Sequence, residues 1–191
     1  MAAVSLRGVT KISSRRYVLD NIDAVMPDGK LTAILGDRES GKLTVLRAIA
    51  GIEKISSGDI FIDGIQVTHK KSGERNVAMV FEKQGLLPHK DVFQNIMFPL
   101  RLAKVNKQLA ENHVLDVAKR FNLESVLDKK PKKLSEIQRH LIGISRAVVR
   151  NPGAYLFQAV QDAGGVSIRK TVVEEMKNLV REDGSTVIYA T

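Results

Sequence analysis

The sequence predicts an α/β fold, and three observations predict it. Apolar runs of strand length recur along the chain, at Val4–Val9, Val18–Val25, Leu31–Leu35, Val77–Phe81, Ala154–Gln158 and Thr186–Ala190. Between Pro88 and Arg150 the apolar spacing changes to that of helices. A glycine-bearing loop, Gly36-Asp37-Arg38-Glu39-Ser40-Gly41-Lys42-Leu43-Thr44, joins the third strand to the helical run Val45–Ala50. Strand, loop and helix in that order make a cradle for phosphate.

The elements follow in order. Pro27-Asp28-Gly29 is a turn that feeds the third strand. Ser56-Ser57-Gly58 introduces a hairpin whose arms, Asp59–Ile62 and Ile65–Val67, flank the turn Asp63-Gly64. In the helical block, Ala110, Val114, Val117, Ala118 and Phe121 share one face of one helix, and Leu141, Ile144, Ala147 and Val148 one face of another. Val166–Val180 reads as a helix before the closing strand. The organisation expected is one domain over residues 1–191, with a core of 1–87 and 151–191 and a helical subdomain of 88–150; the sequence has neither internal repeats nor low-complexity segments.

The loop is complete in its backbone and altered in its chemistry. Gly36, four intervening residues, Gly41 and Lys42 match GxxxxGK. Its glycines permit the close approach of phosphate that a Cβ would obstruct. Consecutive amides and the helix N-terminus offer positive partial charge, and Lys42 is expected to reach the terminal phosphates. The next position calls for a Ser or Thr hydroxyl to hold Mg²⁺, but it is Leu43, which offers no oxygen to a cation that demands oxygen ligands. Thr44 stands one place too late for a simple exchange.

Composition narrows the alternatives. There is no Cys, which excludes disulfides, thiolate metal sites and cysteine nucleophiles. Thirty Lys and Arg against 21 Asp and Glu give a net charge of +9. The densest basic patch, Asp128-Lys129-Lys130-Pro131-Lys132-Lys133, reads as a solvated connector; with no aromatics clustered beside it, no nucleic-acid partner is expected. His69, His89, His113 and His140 are scattered without metal-ligand spacing, so no metal site is expected there. Ser40, Ser135 and Ser145 have no evident base. The N-terminus lacks the apolar core of a secretory signal, and no run approaches the roughly 18–20 residues of a membrane span. A cytoplasmic protein is expected.

The ordered blocks VTK, VLDNI, the loop itself, LRAIAGIE followed by SSGDIFIDG, ERNVAMVF, LLPHKDVFQNIMFPL, SRAVVRNP and STVIYAT resemble the ATP-binding subunits of ABC transporters, and among these the ATPases of bacterial carbohydrate importers of the maltose and glycerol-phosphate type. The resemblance implies a P-loop NTPase core of RecA type, with an antiparallel β subdomain and the helical block as an inserted subdomain. It implies ATP as the cofactor and membrane permease subunits as partners. It also implies a dimer, of two copies or with a different nucleotide-binding subunit, in which each ATP lies between the P-loop of one subunit and the signature loop of the other. A peripheral place on the cytoplasmic face of the membrane follows.

Departures from the family fall on the positions that do its chemistry. Where the family's signature reads LSGGQ, this chain has Leu134-Ser135-Glu136-Ile137-Gln138. A carboxylate at Glu136 brings repulsion toward the partner's ATP, and β-branched Ile137 stiffens the backbone, so closure of the sandwich is expected to be disfavoured. Where the Walker B strand ends in Asp-Glu, this chain has Gln158-Ala159, without the metal anchor and without the base that polarises water. The Q-loop glutamine aligns with Glu82, whose carboxylate can still touch Mg²⁺. The adenine-stacking aromatic aligns with Ser13, with Tyr17 a nearby substitute, and the D-loop aspartate with Gly165. The chain stops at Thr191, before the family's switch histidine and C-terminal regulatory domain.

The expectation is a subunit that contacts nucleotide phosphates and docks on a permease through Leu86–Leu100 but hydrolyses poorly or not at all, with no catalytic residue of its own. Two other readings stay open. One is an active transport ATPase in which Glu82 and Thr44 restore metal binding. The other is a truncated remnant that folds without a biochemical role.

Overall fold

The structure, a computed structural model, describes residues 2–159 and 165–191. Two four-stranded sheets organise it. The first is antiparallel, in the order β2-β1-β4-β5, from β1 (Val4–Ser13), β2 (Arg16–Met26), β4 (Ser57–Ile62) and β5 (Ile65–Gln66). The second has the order β3-β8-β7-β6, from β3 (Leu31–Ile34), β6 (Val77–Val80), β7 (Ala154–Gln158) and β8 (Thr186–Ala190). In it β8 runs parallel to both β3 and β7. The helices are α1 (Lys42–Ile49), α2 (Val92–Leu102), α3 (Lys107–Arg120), α4 (Glu136–Val148) and α5 (Gly165–Arg181).

The chain divides into two compact units. The first comprises the described residues within Met1–Met79, Pro152–Gln161 and Glu175–Thr191; the second, those within Val80–Asn151 and Asp162–Glu174. The core of the first unit explains why its strands form. Val4, Leu6, Leu19 and Ile60 from the antiparallel sheet, Leu46, Ile49 and Ala50 from α1 and its end, and Leu156 and Ile188 from the parallel strands close one apolar cluster. The alternation of Val4 and Leu6 with part-exposed Ser5 and exposed Arg7 is that of a sheet with one wet face. β7 is buried on both faces over Ala154–Phe157, as its continuous apolar run requires.

Two contacts place the phosphate-loop strand. The Gly29 amide donates to Thr186 Oγ1 at 2.9 Å, and Thr186 Oγ1 donates to Asp28 at 2.9 Å, tying the turn before β3 to the start of β8. The backbone N–H groups of Val187 and Thr191 then donate to the carbonyls of Lys30 and Ile34. Among the described residues β3 has no strand on its other side, and Leu31 and Leu35 are exposed, Leu35 to 75%.

The observed elements extend some sequence readings and shorten others. β1 and β2 run on to a hairpin tip at Ser14 and Arg15, both at positive φ, because ladder pairing carries the strands past the buried positions to Ile12 and Ser13. β5 stops at Gln66: Val67 turns inward, its amide donating to the Ile60 carbonyl and its side chain buried. α2 continues through Pro99, whose missing N–H forgoes one helical bond.

Candidate functional site

The phosphate loop is built around an uncapped helix end. Gly41 is the N-cap of α1, at φ 83°, and no side chain caps the first turn. The amides of that turn therefore have no acceptor within the helix and are open to an anion. Gly41 is required twice over, since a Cβ would be strained at that φ and would stand 2.5 Å from the Val18 carbonyl oxygen. Ser40 closes the loop, its amide donating to the Asp37 carbonyl at 3.1 Å, and Ser40 packs so tightly on Gly36 that a Cβ there would collide with its side chain.

Lys42 is 8% exposed, and its Nζ donates to the carbonyls of Gly36 at 2.6 Å and Asp37 at 2.7 Å. The ammonium expected to reach for phosphates is thus folded back onto the loop's own oxygens, which satisfy a buried charge. Beside it lies a cavity of about 150 Å³ lined by Arg38, Lys42, Leu43, Gln158, Ala159 and Ala190. Gln158 and Ala159 reach it because β7 ends there, the Ala159 amide donating to the Ala190 carbonyl at 2.9 Å.

This lining does not fit Mg²⁺. It presents an aliphatic chain at Leu43, a neutral amide at Gln158 and a methyl at Ala159, and none of its side chains carries a carboxylate or a hydroxyl. Thr44 lies outside the lining. Among the described residues no group of three His, Asp or Glu is placed to hold a metal ion.

The aromatic for a base is not supplied by simple proximity. Cross-strand partners share a sheet face; Ser13 pairs with Arg16 and Ile12 with Tyr17, so Tyr17 occupies the opposite face from Ser13. It is 65% exposed.

The second unit holds the signature-like segment. Leu134 is buried, and Ser135 caps α4 in a closed capping box: its hydroxyl accepts from the Gln138 amide at 3.2 Å, while Gln138 Oε1 accepts from the Ser135 amide at 2.9 Å. Glu136 stands in the first turn, where a carboxylate is favoured by the helix dipole. Ile137 follows it, part-buried. Ser135 and Gln138 are thus engaged with their own helix, and the anion-favouring end already carries the Glu136 carboxylate. Glu82 is part-buried, and its carbonyl accepts from Gln84 Nε2 at 2.8 Å. Arg146 of α4 pins the same loop by donating to the Gly85 carbonyl at 2.9 Å, and burial lowers its pKa.

The stretch Leu86–Leu100 divides between core and surface. Val92 and Ile96 are fully buried, whereas Leu86, Leu87, Phe93 and Phe98 are only partly so. Phe93 and Met97, with Val105 and Ala110 beyond them, line a groove of about 620 Å³ whose rim carries Asp91, Arg101, Lys107 and Glu111. Asn95 fixes its approach: Nδ2 donates to the carbonyls of Leu87 at 3.2 Å and Asp91 at 2.8 Å, and Oδ1 accepts from the Leu87 amide at 2.8 Å. The sequence reading passed over Asn95, although an asparagine amid apolar residues of one helix is a signal for such a clamp. Gly165 is at the start of α5, at φ 65°, with nothing close to its Cβ position.

Comparison with known proteins supplies the class. The profile of the ABC transporter family matches residues 19–157, and the chain belongs to that family. The sn-glycerol-3-phosphate import ATP-binding protein UgpC 1 of Rhizobium johnstonii is 37% identical over 191 residues, covering all of this chain and 52% of the relative. The spermidine/putrescine import ATP-binding protein PotA of Pasteurella multocida is 36% identical over 188 residues, or 98% of this chain and 51% of the relative. The chain spans about half the length of the curated relatives it matches. Among solved structures, the dimeric post-hydrolysis state of the ATP-binding cassette MJ0796 with ADP and Pi superposes with a TM-score of 0.84 at 27% identity, over 98% of this chain and 87% of that one. CbiO1 of Clostridium perfringens shares the fold, with a TM-score of 0.88 at 24% identity over 98% of this chain and 77% of that one. The relatives include a polyamine importer as well as a glycerol-phosphate importer, so likeness does not single out carbohydrate import.

Proposed function

We propose that the chain contacts the phosphates of ATP through Gly36–Thr44 and serves as the coupling subunit of an ABC importer, without efficient hydrolysis. The observation that carries this reading is the pairing of an open, uncapped α1 N-terminus over a buried Lys42 with a neighbouring cavity whose side chains offer Mg²⁺ neither carboxylate nor hydroxyl and water no base. The phosphate cradle is separable from the catalytic parts, and it is retained where Leu43, Gln158 and Ala159 depart from them.

Permease subunits are the partners in this reading. The groove of Phe93, Met97, Val105 and Ala110 suits the apolar face of a short helix, and Asp91, Arg101 and the Lys107–Glu111 pair, 3.9 Å apart, line it as well. A peripheral place on the cytoplasmic face follows from that docking; among the described residues no helix is long and apolar enough to cross a membrane. A second nucleotide-binding subunit, a copy of this chain or a different one, pairs with it, and Glu136 weakens any ATP sandwich made with its signature loop.

Calorimetric titration with ATP, with and without Mg²⁺, tests the reading. Weak binding that gains little from Mg²⁺ and is largely lost in Lys42→Ala is expected. Absence of binding under both conditions, or unchanged affinity in Lys42→Ala, overturns it. For the partner, recovery of permease subunits from a membrane fraction should fall in Phe93→Asp; failure of both forms to recover any removes the docking claim.

A further inference from the structure

The cavity beside the phosphate loop has lost the groups that hold a divalent cation, yet it is not short of positive charge. Arg38 lines it together with Lys42, facing the same space as Leu43 and Gln158. A guanidinium is charged at any physiological pH and offers a planar fork of donors that matches phosphate oxygens two at a time. In the resemblance the positions of Leu43 and Gln158 serve a cation whose task is to offset phosphate charge, and a second cationic side chain lining the same cavity can share that task without a metal.

Resting on the proposed nucleotide contact, we propose that this site takes a polyphosphate group free of divalent metal, with Arg38 supplying the charge compensation. The nucleobase contributes little to recognition. Ser13 has no ring to offer, and the strand register sets Tyr17 on the opposite face of the hairpin, opposite Ile12. The ligand class is therefore the polyphosphate chain itself, whether or not it carries a nucleoside, and Arg38 is the residue that sets metal independence.

The test is titration of the protein with ATP and with inorganic tripolyphosphate, each in excess EDTA and again with Mg²⁺. Wild type should bind both ligands in EDTA with affinities within about threefold of each other. Arg38→Ala should weaken both by roughly 10- to 100-fold, the worth of a hydrogen-bonded charge, with no recovery on adding Mg²⁺. Arg38→Lys should retain part of the affinity, since charge survives and the fork does not. Because Arg38 is exposed, a thermal melt of each variant should match wild type. Wild-type binding that Arg38→Ala leaves unchanged, or that Mg²⁺ strengthens tenfold or more, overturns the assignment to Arg38 while leaving the phosphate loop in place. A stronger dependence on the adenosine part than on the phosphates refutes the polyphosphate class. No binding of either ligand by wild type removes this inference and the underlying reading together.

Discussion

At the scale of single residues, the most consequential side chain for stability is one the motif analysis passed over. Arg75 is 5% exposed and donates to the carbonyls of Ala48, Ile49, Thr68 and Lys70. Two of those acceptors belong to the last turn of α1, where the Ala48 carbonyl also accepts from the Gly51 amide at 3.1 Å. Burial lowers its pKa, and a guanidinium still stays charged near neutrality, so this clamp adds no pH dependence there. Arg75→Met should destabilise the protein by about 2–4 kcal/mol in denaturant unfolding, because it removes four hydrogen bonds donated by a buried charged side chain. Gly51 stands against the same guanidinium, at φ 71° with a Cβ position 2.5 Å from Arg75 Nε, so Gly51→Ala should cost stability in the same assay. None of this was legible in the sequence: a side chain whose partners are all backbone carbonyls leaves no second residue type to signal it. The GxxxxGK loop was legible because its chemistry is written in residue identity. The engagement of Lys42 by its own loop was not.

At the scale of elements, α4 ties the signature-like segment to the loop around Glu82. Gly143 lies in the middle of that helix, where glycine costs roughly 0.5–1 kcal/mol against alanine. Its reason is the contact it permits: a Cβ would come within 2.9 Å of Gln84 Cγ and 3.1 Å of Gln84 Cβ. Gly143→Val should therefore destabilise by about 1–3 kcal/mol through overpacking, and faster amide exchange over Glu82–Gly85 would show the loop released. Most elements were readable from period alone. β7 and β8 fall at their predicted bounds, Ala154–Gln158 and Thr186–Ala190, because each is a short apolar run set off by turn residues, Asn151-Pro152-Gly153 and Asp183-Gly184-Ser185. The hairpin tip at Ser14-Arg15 was not, since it extends beyond the core on hydrogen bonds rather than burial. The Ser135–Gln138 capping box hid behind the resemblance, because the same Ser-x-x-Gln spacing serves a helix cap and a nucleotide contact alike.

At the scale of the whole molecule, the altered positions act together. Hydrolysis needs a held metal, an oriented water and a closed partner loop, and in the reading proposed above Leu43 and Gln158, Ala159, and Glu136 each weaken a part. Phosphate release by the purified protein should match background, and Ala159→Glu alone should stay inactive, because groups that act as a unit are not restored singly. Turnover by wild type that Lys42→Ala abolishes would overturn this. The placement of the sheets has a separate outcome in solution. A strand with one unpaired side and apolar residues beside it is a template on which another chain can add, and among the described residues β3, with Leu31 and Leu35 uncovered, is such a strand. Concentrated samples should self-associate in a time- and concentration-dependent way, followed by light scattering. Leu31→Lys, a charge on the rim, should delay the onset without lowering the melting temperature by more than a few degrees. Handling of the protein would then be limited by one short strand rather than by its net charge of +9, which by itself favours dispersal.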